Sequence, residues 1–242
     1  MNEKLIEKMM SDSRVVSFQI GKIHALKAIP EQVQKVIVYC HGLGANKNWM
    51  ARFYEQLYEH QIGMIAFDFP GHGEDERNFP NFPLEQCLAD LKTVIEYGKE
   101  YAPVYLFGCS FGGFVILNEL LEHPDVKQTF LMCPAVNFCS IIEMKTGVSK
   151  KFYESHDSIF LFKNMKLTKE IYKSLKEAEE KVMAFSYSDV CIIHGTVDKT
   201  VDYQVIQKFC EKKQIKLTTL ENGKHELYDF DQEIIDWILC QI

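Results

Sequence analysis

The chain has 242 residues, 47% apolar, 12% aromatic and 25% charged, a profile that excludes disorder, collagen-like repeats and coiled coil. Its 27 basic and 34 acidic side chains leave a net charge of −7 with no long block of one sign, so nothing in it favours nucleic acid or an anionic membrane as a partner. At about 100 to 200 residues per domain, the length allows one large domain or two small ones, and a single large core needs no staples.

In chain order, the opening MNEKLIEKMMSDSR has scattered charges and lacks the apolar run of a secretory signal. RVVSFQI and KIHALKAI flank Gly21 and predict an antiparallel hairpin at a sheet edge. The run KVIVYC (35–40) predicts the first buried strand. Met50, Phe53, Tyr54 and Leu57 then share one helical face that stops near Gly63, and MIAFDF (64–69) predicts the next strand. Leu84, Cys87, Leu88, Leu91, Val94 and Ile95 repeat at helical spacing, opened by Pro83 and closed near Gly98. VYLFGC (104–109) is a strand followed by a helix, FVILNELLEH, that ends before Pro124, and TFLMCP (129–134), VCIIHG (190–195) and KLTTLE (216–221) are further strands. Their continuous apolar runs, alternating with helical segments, predict an α/β fold with a mostly parallel central sheet flanked by helices.

Residues 137–187 break that alternation, because 51 residues stand where one helix would serve. They read as an insertion into a single domain whose core is 1–136 and 188–242. The insertion's helical pieces and its aromatics Phe152, Tyr153, Phe160, Phe162, Tyr172 and Phe185 suit a small helical lid that walls a pocket, the alternative being helices packed for stability alone. From Ile141 to Tyr187 there are 9 Lys against 7 acidic residues, a small bias toward acidic substrates.

GCSFG (108–112) is a G-x-S-x-G pattern between a strand and a helix, the context in which a sharp turn lifts the Ser110 hydroxyl out of the sheet. The alternative is a serine that merely caps the helix. A serine hydroxyl needs a base and an orienting acid, and both follow in the order expected. Asp198 lies after VCIIHG and His225 after KLTTLE, each at the C-terminal end of a predicted parallel strand, where open α/β sheets place their ligands. Asp202 is the rival acid. His194 and His72 are rival bases that read better as structural groups, and Cys109 should point into the core. CHGLG (40–44) after the first buried strand can aim the Leu43 N–H at the same point as the Phe111 N–H, giving two donors for an oxyanion.

These motifs resemble the α/β hydrolase superfamily: HGLG for its oxyanion turn, FDFPGHG for its D-x-x-G-x-G loop, GCSFGG for the elbow, HGTVDKTV for the acid loop and GKHE for the histidine turn. In layout the chain is most similar to small bacterial esterases of the feruloyl (cinnamoyl) type, which carry a compact insertion at this place. Cys109 stands where His is common in that group and Glu74 where Ser is frequent, so substrate preference does not transfer with the motifs.

The expectation is therefore a serine esterase acting on small to medium carboxylic esters, with Ser110 as nucleophile, His225 as base and Asp198 as acid, and with Leu43 and Phe111 as oxyanion donors. A thioesterase or amidase would use the same residues, and a non-catalytic binding protein could keep the pocket. No cofactor or metal is expected, since no Cys/His cluster at metal spacing exists. The eight cysteines sit mostly in apolar runs and read as reduced thiols of a cytoplasmic protein. No stretch reaches the roughly 20 apolar residues of a membrane span.

Overall fold

The computed structural model describes residues 3–77, 79–122, 126–153, 157–162 and 165–242. Its elements are α1 (Glu3–Met10), β1 (Val15–Ile20), β2 (Ile23–Ala28), β3 (Lys35–Cys40), a 3₁₀ turn (Lys47–Arg52), α2 (Tyr54–Glu59), β4 (Ile62–Phe67), α3 (Leu84–Lys99), β5 (Val104–Cys109), α4 (Phe111–Glu119) and β6 (Thr129–Met132). The insertion contributes α5 (Phe138–Thr146), α6 (Val148–Tyr153), β7 (Ser158–Phe162), β8 (Met165–Thr168) and α7 (Lys169–Ala184). The chain closes with β9 (Val190–Gly195), α8 (Tyr203–Lys213), β10 (Lys216–Leu220) and α9 (Asp231–Leu239).

Eight strands form one sheet in the order β1-β2-β4-β3-β5-β6-β9-β10. The six from β4 to β10 pair in parallel, and the β1–β2 hairpin adds antiparallel strands at one edge. Strand alternation divides the apolar residues between two cores. Val36, Val38 and Cys40 of β3 face the layer that holds α3, α4 and the insertion, while Ile37 and Tyr39 face the layer of α2 and α9. Every residue of β4 and β9 is buried, which explains their unbroken apolar runs.

Helix α4 is buried along its whole length because the sheet lies on one side and α3 and α7 pack against it on others. An amphipathic pattern is therefore absent from FVIL. Cys109 is buried, as alternation requires, and burial pushes its thiol up to about 12.

Several boundaries differ from the sequence reading. The helix expected over Met50 to Leu57 is a 3₁₀ turn followed by a short α2, broken at Phe53. Strand β4 runs Ile62–Phe67 rather than 64–69, which frees Asp68 to turn inward and bond Lys47. Helix α4 ends at Glu119, and the Pro124 expected to stop it lies outside the described residues. The insertion is not all helical: β7 and β8 form an antiparallel hairpin tied to the segment before α3, where Phe82 N–H donates to Lys166 O at 2.9 Å and Lys166 N–H to Pro80 O at 3.0 Å. The scattered charges of the opening segment do not announce helix α1, whose Met9 is buried against the face of the sheet that carries α2.

Candidate active site

The strand ends explain why distant segments meet. Strands β3, β5, β9 and β10 run parallel, so the turns after Cys40, Cys109, Gly195 and Leu220 emerge along one edge of the sheet. Ser110 sits at the tightest of these turns, with φ 52° and ψ −116°, a conformation L-residues rarely occupy. Three backbone N–H groups hold it there: Gly113, Phe114 and Ala135 all donate to the Ser110 carbonyl, at 3.0, 3.2 and 3.0 Å. The flanking glycines are needed for space. A Cβ on Gly112 would lie 2.2 Å from the Cys40 carbonyl oxygen, and one on Gly108 would lie 2.9 Å from the Gly113 Cα.

A second close approach brings the acid and histidine turns together. A Cβ on Gly195 would fall 2.2 Å from the Gly223 carbonyl oxygen, so the turns after β9 and β10 touch backbone to backbone. Val197 N–H and Thr196 N–H donate across that contact to Gly223 O and Leu220 O, at 3.1 and 3.0 Å. As a result Asp198 Oδ2 lies 2.7 Å from His225 Nδ1, and His225 Nε2 lies 2.9 Å from Ser110 Oγ. A carboxylate only accepts, so Nδ1 carries the proton toward Asp198 and Nε2 accepts from the serine hydroxyl. The structure thus brings Ser110, His225 and Asp198 into one hydrogen-bonded line.

Burial pushes the Asp198 carboxyl up, yet the hydrogen bond and charge of His225 and the N–H groups of Val201 and Thr200 outweigh it and hold the group below its ordinary 3.8. Those N–H groups donate to Oδ1 at 2.9 and 2.7 Å, leaving Oδ2 for the imidazole. The rival residues take structural places. Asp202 caps α8 by accepting from Gln204 N–H at 2.7 Å. His194 is buried, donates from Nε2 to the Val201 carbonyl at 3.0 Å and is pushed below the ordinary imidazole value by burial. His72 is buried in its turn, its Nδ1 2.9 Å from the Pro70 carbonyl.

The turn after β3 lies beside the serine. His41 is fully buried, donates from Nδ1 to Gly42 O at 2.8 Å and accepts the Phe69 N–H at Nε2 at 3.0 Å. Burial and the neighbouring His72 drive it down to about 3, so it is neutral. It joins the Gly42–Leu43 turn to the loop after β4. A buried ion pair, Lys47 Nζ to Asp68 Oδ2 at 2.6 Å, joins the same two segments again. Leu43 and Phe111 give their N–H groups to no acceptor among the described residues, so both remain available to a ligand.

Two clefts meet at Ser110. One, of about 290 Å³, is walled by Phe111, Ala135, Phe138, Ile141, Ile142 and Leu161 with Lys145 and Glu226 as its charged groups. The other, of about 320 Å³, runs along Gly42–Ala45 past Trp49, Glu226 and Tyr228. A larger cleft of about 550 Å³ lies on the other face of α5, lined by Cys139, Glu143, Tyr172 and Glu179, and contains neither Ser110 nor His225.

The walls correct the sequence reading. None of the insertion aromatics singled out there lines the Ser110 cleft among the described side chains. Phe152 packs on Tyr172 (ring centroids 6.1 Å apart), Phe185 on Tyr187 (5.1 Å), and Phe160 faces solvent. The side chains of Tyr153 and Phe162 lie outside the described ones. The insertion supplies aliphatic residues of α5 instead, with Phe138 packed on Phe111 at 5.0 Å.

Sequence reasoning also missed Arg52. Its buried guanidinium donates to the Glu226 and Leu227 carbonyls at 2.8 and 2.7 Å and pairs with Asp231, fixing the turn that carries His225. For metal binding, Cys133, Asp198 and His225 form one group whose donor atoms lie within 4.8 Å of one another. The set fits a cation poorly, because Asp198 and His225 are already committed to hydrogen bonds and burial pushes the Cys133 thiol well up.

Comparison with known proteins agrees with this architecture. The structure resembles Est1E from Butyrivibrio proteoclasticus, solved with ferulic acid bound, with a TM-score of 0.76, 20% identity and coverage of 93% of this chain and 98% of that one. It also resembles the α/β hydrolase domain-containing protein 10 of mouse, with a TM-score of 0.72, 16% identity and coverage of 94% and 99%. In sequence it is 30% identical over 90 residues to an abhydrolase domain-containing protein of Dictyostelium discoideum, covering 37% of this chain. It is 23% identical over 117 residues to protein phosphatase methylesterase 1 of Candida albicans, covering 46% of this chain. The chain spans only 10% and 32% of the lengths of those two relatives. The profile of the serine aminopeptidase S33 family matches residues 31–156, which is 126 of the 242 residues, and the chain belongs to that family within the α/β hydrolases.

Proposed function

We propose that the chain is a serine hydrolase that cleaves carboxylic esters of small to medium size through an acyl-enzyme on Ser110. The observation that carries this reading is the line from Ser110 Oγ through the imidazole of His225 to Asp198, at 2.9 and 2.7 Å. Its esterase relatives and the apolar cleft beside the serine support the same reading.

In this mechanism the Ser110 oxygen attacks the acyl carbonyl as His225 Nε2 takes its proton. The tetrahedral oxyanion receives the N–H groups of Leu43 and Phe111, each such donor being worth about 3 to 4 kcal/mol. Asp198, held ionised, keeps the Nδ1–H tautomer and stabilises the imidazolium that forms. His225 then returns the proton to the leaving alcohol, and water repeats the sequence on the acyl-enzyme. Residues 137–187 act as a lid over the cleft.

The test is hydrolysis of p-nitrophenyl esters from acetate to laurate, with methyl ferulate, on wild type and Ser110→Ala, alongside labelling by a fluorophosphonate. Turnover and labelling that both vanish in the variant are expected. A folded wild type that neither labels nor turns over any ester refutes the serine mechanism. Faster turnover of matched thioesters or amides would move the substrate class while keeping the residues.

A further inference from the structure

The insertion carries 9 lysines between Ile141 and Tyr187, and among the described residues only Lys145 lines the Ser110 cleft. Its place follows from α5. Phe138, Ile141, Ile142 and Lys145 are spaced i, i+3, i+4 and i+7, so one helix face delivers three apolar side chains and then a charge to the same cleft. Phe138 lies at the serine end, packed on Phe111. Seven residues of helix put the Lys145 backbone about 10 Å farther along. Lys145 makes no ion pair among the described residues, whereas other insertion lysines are engaged elsewhere: Lys166 over the Phe160 ring, Lys176 over the Tyr172 ring and Lys173 with Glu177.

The other charged group of the cleft is Glu226, adjacent in sequence to His225 and shared with the second cleft. Glu226 thus lines both clefts that contain Ser110 and His225, while along α5 an apolar stretch that starts against Phe111 is followed by the ammonium of Lys145. An anion close to the ester would be repelled by Glu226, while an anion at the far end of an apolar chain would meet Lys145. The aliphatic wall of this cleft suits a chain, and the Trp49–Tyr228 pair of the other (ring centroids 5.6 Å apart) suits the leaving group.

We propose that the acyl half of the substrate is an aliphatic chain ending in an anionic group, a carboxylate or its equivalent, which Lys145 binds as a specificity-determining residue. The proposal rests on the ester-hydrolase reading of Ser110.

The experiment compares kcat/KM for p-nitrophenyl monoesters of succinate, glutarate, adipate and suberate with neutral acyl esters of equal length, in wild type, Lys145→Gln, Lys145→Glu, Lys145→Arg and Lys173→Gln. Wild type is expected to favour the anionic member of at least one pair. That ratio should fall roughly tenfold in Lys145→Gln, the loss of one charge-assisted contact. It should fall further in Lys145→Glu, recover in Lys145→Arg and stay at the wild-type value in Lys173→Gln, whose lysine lies outside the cleft.

Ser110-dependent hydrolysis without an anion preference, or with one indifferent to Lys145, overturns the proposal and leaves the esterase intact. A parallel pair, the butyrate esters of 4-hydroxybenzoate and 4-hydroxybenzamide, moves the anion to the alcohol half; a Lys145-dependent preference confined to that pair overturns the placement of the acyl chain. Absence of any Ser110-dependent hydrolysis or labelling refutes instead the reading on which the proposal rests.

Discussion

The neutral His41 beneath the Gly42–Leu43 turn makes the stability of the protein depend on pH in a defined window. Its folded value of about 3 lies below the 6.5 of an unfolded imidazole. Above pH 6.5 both states are neutral and His41 contributes no pH dependence. As pH falls below 6.5 the unfolded chain takes up a proton that the folded one refuses, so stability is lost progressively down to the folded value. The linked loss is about 2 kcal/mol at pH 5 and about 3 kcal/mol at pH 4, with a ceiling near 5 kcal/mol. His194, also pushed down by burial, adds in the same direction. Asp198 acts in a separate window, because its depressed carboxyl stabilises above its unfolded value and loses that contribution only as pH falls through its lower folded one. Urea unfolding at pH 7.5, 6 and 5 should show a slope near pH 5 that drops by about 1.4 kcal/mol per pH unit in His41→Asn. In the wild type the His41 ring resonance should stay flat from pH 8 to 5. A resonance titrating near pH 6.5, or an equal slope in both proteins, would refute the reasoning.

The same geometry sets four other outcomes. Ser110→Ala and His225→Ala should each lower ester turnover by at least about a thousandfold while the circular dichroism spectrum is retained, because each removes one end of the Ser110–His225 bond. Asp198→Asn should cost about 10⁴ in kcat by disturbing the His225 tautomer, whereas Asp202→Asn, which keeps a capping side chain on α8, should change activity little; the reverse pattern in steady-state kinetics would reassign the acid. Gly112→Ala should yield little folded protein, since the new methyl would overlap the Cys40 carbonyl at 2.2 Å, and soluble expression with normal fluorophosphonate labelling would contradict that packing. Arg52→Met should destabilise by about 3 kcal/mol in thermal or urea melts, because two backbone carbonyls lose their buried donor and Asp231 its partner.

That Ser110, Asp198 and His225 meet at one sheet edge was legible in the sequence and the walls around them were not, for reasons of range. Parallel strands announce themselves by unbroken apolar runs, and their C-terminal ends share one edge, so the turns after VYLFGC, VCIIHG and KLTTLE already gather Ser110, Asp198 and His225. The glycines that let these turns approach were visible as letters, but the contact between Gly195 and Gly223 joins two strands and leaves no local pattern. Arg52 is more remote still: its partners lie 174 to 179 residues away and two of them are carbonyl oxygens, which no side-chain motif records. In the insertion, spacing and not aromatic content marks the cleft wall. Phe138, Ile141, Ile142 and Lys145 stood at i, i+3, i+4 and i+7 in plain view, whereas the aromatics fell on faces that pack among themselves or meet solvent. Strand ends converge by topology whatever the loops contain, but a pocket wall depends on which face an inserted helix turns inward. That face is set by the periodic apolar residues, which carry the charge at their end, Lys145, into the same cleft.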